Sequence, residues 1–173
     1  MAKNKNKSGK NDFLDVLAKS NAGVCRRLAK GETATVRFLY EVEDEDMPGW
    51  DTLSVFFDEE AQRSFYFESA NDAPEGTTVR TAFFAVAYDV ETKNTEVWEF
   101  RKSLVQELNE YRLKFGNITD RNYRIRRTGE GLNTKYRADE RDKQPMSKGM
   151  QKAVANSKNL LEEVLNELLE FAD

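Results

Sequence analysis

The 173-residue sequence contains no histidine and only one cysteine, Cys25. Without histidine the chain has neither a Ser-His-Asp triad nor a Cys-His nucleophile pair, and one cysteine permits no internal disulfide bond and no zinc site of the usual ligands. The glycine-rich motifs GxxxxGK[ST] and GxGxxG, which hold phosphates in nucleotide-binding proteins, are also absent. These absences exclude most familiar enzyme chemistries, and we expect a binding protein that is not an enzyme and uses no cofactor or metal.

Long apolar runs are missing as well. No segment approaches the roughly 18 residues needed to span a bilayer, and residues 1–5 lead into polar sequence without the apolar stretch of a signal peptide. Hydrophobic residues make up 39% of the chain and charged residues 34%, yet 11 Phe, 6 Tyr and 2 Trp are too many for a disordered protein. We therefore expect a folded, soluble, cytoplasmic protein with no membrane partner.

The net charge of −4 is an average over three regions of different sign. Residues 1–11 form a basic arm, predicted to be flexible, in which four lysines occur with no arginine and no acid. Residues 160–173 contain five acids and no base. Between them, residues 121–143 contain eight bases against four acids, the bases being Arg121, Arg124, Arg126, Arg127, Lys135, Arg137, Arg141 and Lys143. A basic body with a separate acidic end favours a polyanionic partner despite the acidic total.

The acids at 41–46 are followed by Met47-Pro48-Gly49, which is typical of a solvated loop rather than a metal site. An alternative to polyanion binding is that the arginines of 121–143 pair with this acidic loop or with the acidic C-terminus.

Hydrophobic periodicity predicts a mainly β protein. Strands are predicted at 33–40, 52–57, 64–68, 77–90 and 95–100, and a further hairpin at 123–128 and 134–138 around Gly129-Glu130-Gly131. Helices are predicted at 12–19, at 101–115 with Gly116 as its end, and at 147–171. The pattern favours an OB-fold-like five-stranded antiparallel barrel with one inserted helix, a long basic hairpin and a C-terminal helix, and a β-sandwich is the alternative. The predicted division is residues 1–11 as arm, 12–145 as barrel domain and 146–173 as acidic amphipathic helix and tail.

Single-stranded DNA offers a protein its phosphates and the faces of its unstacked bases. The candidates for phosphate contact are Arg37, Arg124, Arg126, Arg127, Lys135 and Arg137, and those for base stacking are Trp50, Tyr66 and Tyr136. In the strand 64–68 the alternation sends Tyr66 to one face and both neighbouring phenylalanines to the other, so one of the two sets should be exposed. We expect Phe56, Phe57, Phe83, Phe84, Phe100 and Phe115 to fill the core.

The predicted hairpin resembles the signature hairpin of bacteriophage single-stranded DNA-binding proteins of replication and recombination. It matches the pattern Ile-x-Arg-x-Gly-x-Gly-x-x-Thr-x-Tyr at Ile125, Arg127, Gly129, Gly131, Thr134 and Tyr136. The similarity covers roughly residues 30–140. It implies a protein that coats single-stranded DNA without strong sequence preference in replication, recombination or repair, in the cytoplasm of the host cell. Residues 58–76 lack the Cys/His zinc knuckle of many relatives, so the resemblance implies no zinc.

The acidic end is predicted to bind a polymerase, helicase or recombinase, or to occupy the DNA groove as a mimic of DNA. Its candidate residues are Glu162, Glu163, Glu167, Glu170, Phe171 and Asp173. The leucine-rich stripe beside them can dock on a partner, on a second copy of the chain, or on the barrel. A protein-interaction module that oligomerises through this helix is the alternative function. A nuclease is a more distant reading, because it requires clustered carboxylates and a divalent metal.

Overall fold

A computed structural model describes residues 25–42 and 49–170. The predicted basic arm and the helix predicted at 12–19 lie outside these ranges. The described chain is mainly β, with seven strands and three helices. In order they are β1 Thr33–Phe38, β2 Trp50–Asp58, β3 Arg63–Phe67, β4 Arg80–Asp89, β5 Thr95–Phe100, α1 Lys102–Phe115, β6 Arg121–Thr128, β7 Lys135–Lys143, α2 Lys148–Asn156 and α3 Leu160–Glu170.

All seven strands belong to one antiparallel sheet, whose path is open. Its order is β3-β2-β4-β1-β6-β7, and β5 pairs with β4 beside this path. The ten-residue β4 pairs with three strands. Its first half pairs with β2 and its end pairs with β1, while β5 pairs with residues Phe83 to Tyr88. The predicted number of five strands is therefore wrong for the sheet as a whole, because the β2–β3 hairpin and the β6–β7 hairpin both belong to it.

Alternation along β4 divides the interior into two cores. Phe84, Val86 and Tyr88 face a core that includes α2 and α3, whereas Ala85 and Ala87 face a core that includes α1, β6 and β7. Both faces of the central strand are thus buried, which requires apolar residues at successive positions. This requirement explains the nearly continuous apolar run from Ala82 to Tyr88.

The helix α1 buries Leu104 and Leu108 against the second core and ends at Gly116, as predicted. Gly116 has φ +87°, the left-handed conformation that a helix end adopts most easily at glycine. No helix in the described part of the chain is long and apolar enough to cross a membrane.

The C-terminal segment forms two helices, so the prediction of a single helix over 147–171 is wrong. Ser147 begins α2 by accepting a hydrogen bond from the backbone N–H of Met150, and the segment between the helices contains the buried Ser157. Tyr40 fixes this break, because its hydroxyl lies 2.8 Å from Ser157 Oγ and donates to the Val154 carbonyl at 3.0 Å. The leucine stripe of α3 packs on the sheet of its own chain through Leu161, Val164, Leu165 and Leu168.

Candidate functional site

The outward face of the β6–β7 hairpin is the most basic strand surface of the described chain. On β6, Tyr123 and Ile125 point into the core, so strand alternation turns Arg124 and Arg126 outward. Across the hairpin Arg126 lies opposite Arg137, and Thr128 lies opposite Lys135. We call the exposed bases Arg124, Arg126, Lys135, Arg137 and Arg141 of this hairpin the cationic face. Lys143 is also exposed, but it lies opposite Arg121, beyond a register shift and on the side of Tyr123.

Few carboxylates neutralise the cationic face. Arg126 lies 3.7 Å from Asp139 with both side chains about half exposed, and Arg137 lies 3.5 Å from Glu107. Within the described ranges, Arg124, Lys135 and Arg141 form neither an ion pair nor a side-chain hydrogen bond. Exposed ion pairs contribute little to stability, so all of these cations can exchange their partners for a ligand.

The acidic loop is not the partner of these arginines in the described residues. Glu41 uses its carboxylate to accept hydrogen bonds from the backbone N–H groups of Ile118 and Thr119 at 2.9 and 3.1 Å. It therefore holds the turn before β6. The acids at positions 43–46 lie outside the described residues.

Arg37 is buried, which corrects its prediction as an exposed phosphate contact. Its side chain is 1% exposed and donates to the carbonyls of Thr119 and Gln144 at 2.7 Å each and to Asn122 at 3.3 Å. Burial lowers the pKa of Arg37, although the Asp120 carboxylate opposes the shift. The structure gives Arg37 a structural role in joining β1 to the segments on either side of the hairpin.

Arg127 is half-buried and partly engaged, since its Nη1 donates to the Leu28 carbonyl at 2.7 Å. Its Nε is buried without an acceptor among the described residues. It therefore belongs to the end of the hairpin rather than to the exposed cationic face.

Tyr66 and Tyr136 are both buried, so neither presents a ring for base stacking and these predictions are corrected. The Tyr66 hydroxyl donates to Glu99 at 2.5 Å and contacts Arg27, and burial, followed by the charge of Glu99, raises its pKa strongly. The Tyr136 ring packs edge-on against Phe100 at 5.6 Å. Both rings lie on the inward sides of strands whose outward sides are polar or half-exposed.

A half-exposed aromatic patch lies on the other face of the β2–β3 hairpin. Phe56 stacks between Phe65 at 5.5 Å and Phe67 at 6.0 Å, and the Arg63 guanidinium lies over the Phe65 ring at 4.3 Å. The core prediction for Phe56 is thus wrong, and so is that for Phe57, which is 55% exposed. Alternation along residues 64–68 predicted that either Tyr66 or its two neighbouring phenylalanines would be exposed. Tyr66 was named as the stacking candidate, but Phe65 and Phe67 are the exposed pair.

Trp50 is half-buried. Its ring packs on Phe38 at 5.2 Å and its Nε1 donates to the Tyr40 carbonyl at 3.0 Å. The indole is therefore held in place by the protein, and the residue as a whole is partly exposed.

The acids of α3 lie on its outer side. Glu162, Glu163, Glu167 and Glu170 are exposed, whereas Phe171 and Asp173 lie outside the described residues. The leucine stripe between these acids is covered by the sheet, so it is not a free oligomerisation surface in this structure.

No cluster of three or more potential metal ligands occurs within residues 25–42 and 49–170. Comparison with models of known protein families, with curated proteins and with solved structures found no match.

Proposed function

We propose that the sheet is an elaborated OB-fold. The order β1, β4, β5, α1, β6, β7 is the strand and helix order of that fold, in which the first strand pairs with both the second and the fourth. The hairpin of β2 and β3 then lies between the first and second OB strands as an insertion. Five strands belong to the OB core under this assignment, and the insertion accounts for the other two.

On this fold we propose a non-catalytic protein that binds and coats single-stranded DNA without strong sequence preference. The observation that carries the proposal is the cationic face, where Arg124, Lys135 and Arg141 are exposed and unpaired among the described residues. Closely spaced arginines and lysines neutralise backbone phosphates and release counterions regardless of sequence. The resemblance of the hairpin to phage single-stranded DNA-binding proteins supports a role in replication, recombination or repair.

Base contacts are assigned to the accessible aromatic rings. Trp50 is partly exposed, and the patch of Phe56, Phe65 and Phe67 offers stacked rings with Arg63 above Phe65. The strand register places Trp50 and Phe56 on the sheet face opposite Arg124, so these rings and the cationic face would contact different segments of the bound strand. Arg37, Tyr66 and Tyr136 are not part of the proposed interface because they are buried. The exposed acids of α3, with the chain that follows, are proposed to contact a polymerase, helicase or recombinase.

The test is binding of a fluorescent dT oligonucleotide, followed by anisotropy at several salt concentrations, with duplex DNA as competitor. We expect saturable binding that duplex displaces poorly. The double variant Arg124→Ala/Lys135→Ala removes two unpaired cations and should reduce the slope of log K against log salt by about 1.4, at roughly 0.7 per phosphate contact.

The matched control is Lys148→Ala/Lys158→Ala, which makes the same charge change on the C-terminal segment. Its salt slope should equal that of the wild type. Absence of oligonucleotide binding at low salt, or equal slopes for both double variants, would overturn the proposal.

A further inference from the structure

A cavity of about 350 Å³ lies between α2 and the turn that joins β4 to β5. From the helix, Gly149, Lys152 and Asn156 line it, and because they recur at i, i+3 and i+7 they share one face of α2. From the sheet, Tyr88 and Thr95 line it, at directly facing positions of β4 and β5. The volume falls in the range of about 300–1,000 Å³ that is typical of small-ligand pockets.

The charged groups that line this cavity are all cationic. Lys93 of the β4–β5 turn and Lys152 of α2 line it from the sheet side and the helix side, and no carboxylate is among its lining residues. Neither lysine side chain forms an ion pair or a hydrogen bond within the described part of the chain. In the sequence no acid occurs between Asp142 and Glu162, so α2 brings no negative charge. Two positive charges therefore border the cavity without a carboxylate to neutralise them.

The Tyr88 hydroxyl is a hydrogen-bond donor without an acceptor. Tyr88 is 8% exposed, and its hydroxyl bonds to no group in residues 25–42 and 49–170. It lies beside Gly149, where a Cβ atom would come within 3.0 Å of the hydroxyl oxygen, so the lack of a side chain leaves this oxygen open to the cavity. The Tyr123 hydroxyl, by contrast, is sealed inside the core. A ligand with acceptor oxygens would supply the bond that Tyr88 lacks.

The β4–β5 turn fixes the position of Lys93. The Asp89 side chain accepts hydrogen bonds from the backbone N–H groups of Glu91 and Thr92 at 2.9 and 3.1 Å, and the Asp89 carbonyl accepts one from Lys93 at 2.8 Å. Lys93 has φ +62°, a left-handed conformation that asparagine and glycine adopt more easily. Glu91 in the same turn is exposed and does not line the cavity. The turn therefore presents a cation on a strained backbone, a combination that is found at binding sites.

We propose that this cavity binds a phosphate monoester, with Lys93 and Lys152 holding the phosphate and Tyr88 donating a hydrogen bond to it. Lysine binds phosphate as a point charge, and phosphate oxygens accept hydrogen bonds. A phosphate monoester carries a charge of about −1.5 to −2 at pH 7, which matches two lysines, whereas a backbone phosphodiester carries one negative charge. The partly buried Ala153 and Leu160 form an apolar wall for the organic part of the molecule.

Two kinds of molecule carry such a group. A free mononucleotide and the 5′ end of a phosphorylated strand both present a phosphate monoester, whereas the interior phosphates of a strand do not. The site is thus additional to the proposed contacts of the cationic face and does not require them.

The test is binding of thymidine 5′-monophosphate to the full chain, measured by isothermal titration calorimetry at constant ionic strength, with thymidine as the ligand without phosphate. We expect Lys93→Asn/Lys152→Ala to weaken binding by at least about tenfold and Tyr88→Phe by about two- to tenfold. Asparagine suits the left-handed backbone at position 93, and Tyr88→Phe removes only an unpartnered hydroxyl, so these variants should keep the unfolding midpoint of the wild type. The matched control is Lys148→Ala/Lys158→Ala, two lysines of the same segment that do not line the cavity, and its affinity should equal that of the wild type.

Three results would overturn the site: no binding of thymidine 5′-monophosphate by the wild type, equal binding of thymidine, or equal affinity of Lys93→Asn/Lys152→Ala and the control. Two dT oligonucleotides, one with a 5′-phosphate and one with a 5′-hydroxyl, distinguish the sources. Tighter binding of the phosphorylated one that is lost in Lys93→Asn/Lys152→Ala supports a strand end, and equal affinity of both supports a free nucleotide. Absence of oligonucleotide binding alone would overturn the proposed function and leave this site intact.

Discussion

Arg126 and Arg137 lie directly opposite each other across the β6–β7 hairpin. Like charges at facing positions of an antiparallel pair destabilise the pairing. Among the described residues each arginine has one carboxylate within 4 Å, Asp139 at 3.7 Å from Arg126 and Glu107 at 3.5 Å from Arg137. An exposed pair of this kind is stabilised by a polyanion that bridges both groups. The hairpin thus contains a like-charge repulsion in the free protein, which the proposed DNA strand would reduce.

Replacing Arg126 by threonine should separate these two effects. Threonine suits an exposed strand position and removes the repulsion from Arg137, so we expect stability to rise by up to about 1 kcal/mol at low salt. Oligonucleotide affinity should fall at the same time because one phosphate contact is lost. Urea unfolding and fluorescence anisotropy of one preparation measure both. A loss of stability would show that the pair with Asp139 outweighs the repulsion.

Phe65 tests whether bases stack on the aromatic patch. Phe65→Ala removes one ring of the stack and should weaken dT binding by roughly 5- to 150-fold, the range of about 1–3 kcal/mol per stacked base, without changing the salt slope. Phe57→Ala is the matched control, because Phe57 is an exposed phenylalanine on the opposite face of the same hairpin. Equal affinity of the two variants would remove the patch from the DNA interface.

Leu168 tests the docking of α3 on the sheet. It is 1% exposed, so Leu168→Ala should lower the free energy of unfolding by about 2–5 kcal/mol, whereas Glu167→Ala on the exposed side should change it by less than about 0.5 kcal/mol. The unfolding midpoint should not depend on protein concentration. A midpoint that rises with concentration would instead show that the stripe is buried between two copies of the chain.

Because of Cys25, the free energy of unfolding should depend on pH in the alkaline range. Burial, followed by the negative charge of Glu99, raises the pKa of its thiol from 9.0 to about 12. Because the folded protein holds the thiol proton more tightly than the unfolded chain does, this proton stabilises the fold. The contribution is complete below pH 9 and is lost as the pH rises toward 12.

Cys25→Ala should therefore lose less stability than the wild type between pH 8 and pH 11, measured by urea unfolding at each pH. The buried tyrosines give the same trend in both proteins, so the difference between the two curves reports the thiol. Parallel curves would show that the thiol titrates normally in the folded chain.

Local pattern was sufficient for the strands, for α1 and for much of the cationic face. All seven strands and α1 occur where alternation and helical periodicity predicted them, because those signals depend only on neighbouring residues. Arg124, Arg126, Lys135 and Arg137 are exposed for the same reason, since Tyr123 and Ile125 had to point inward. The break between α2 and α3 was missed because a distant residue, Tyr40, fixes it.

The choice between two strand faces could not be made from neighbours alone. Tyr66 and Phe65 lie on opposite faces of β3 whichever of the two faces is buried. Tyr66 is on the buried face because Arg27 and Glu99, which is 33 residues away, bind its hydroxyl there. From its neighbours in the sequence, Arg37 cannot be told apart from an exposed arginine on a strand. It is buried because the distant carbonyls of Thr119 and Gln144 accept hydrogen bonds from its guanidinium.

The sequence by itself therefore determined the strands and the basic hairpin, because hydrophobic periodicity and charge pattern are local properties of the chain. Only the tertiary structure decided which cations are free, which aromatic rings are exposed, and that Arg27 and Arg80 both lie beside Glu99. These depend on contacts between residues far apart in the chain, where burial leaves a polar group only the partners that the fold brings to it.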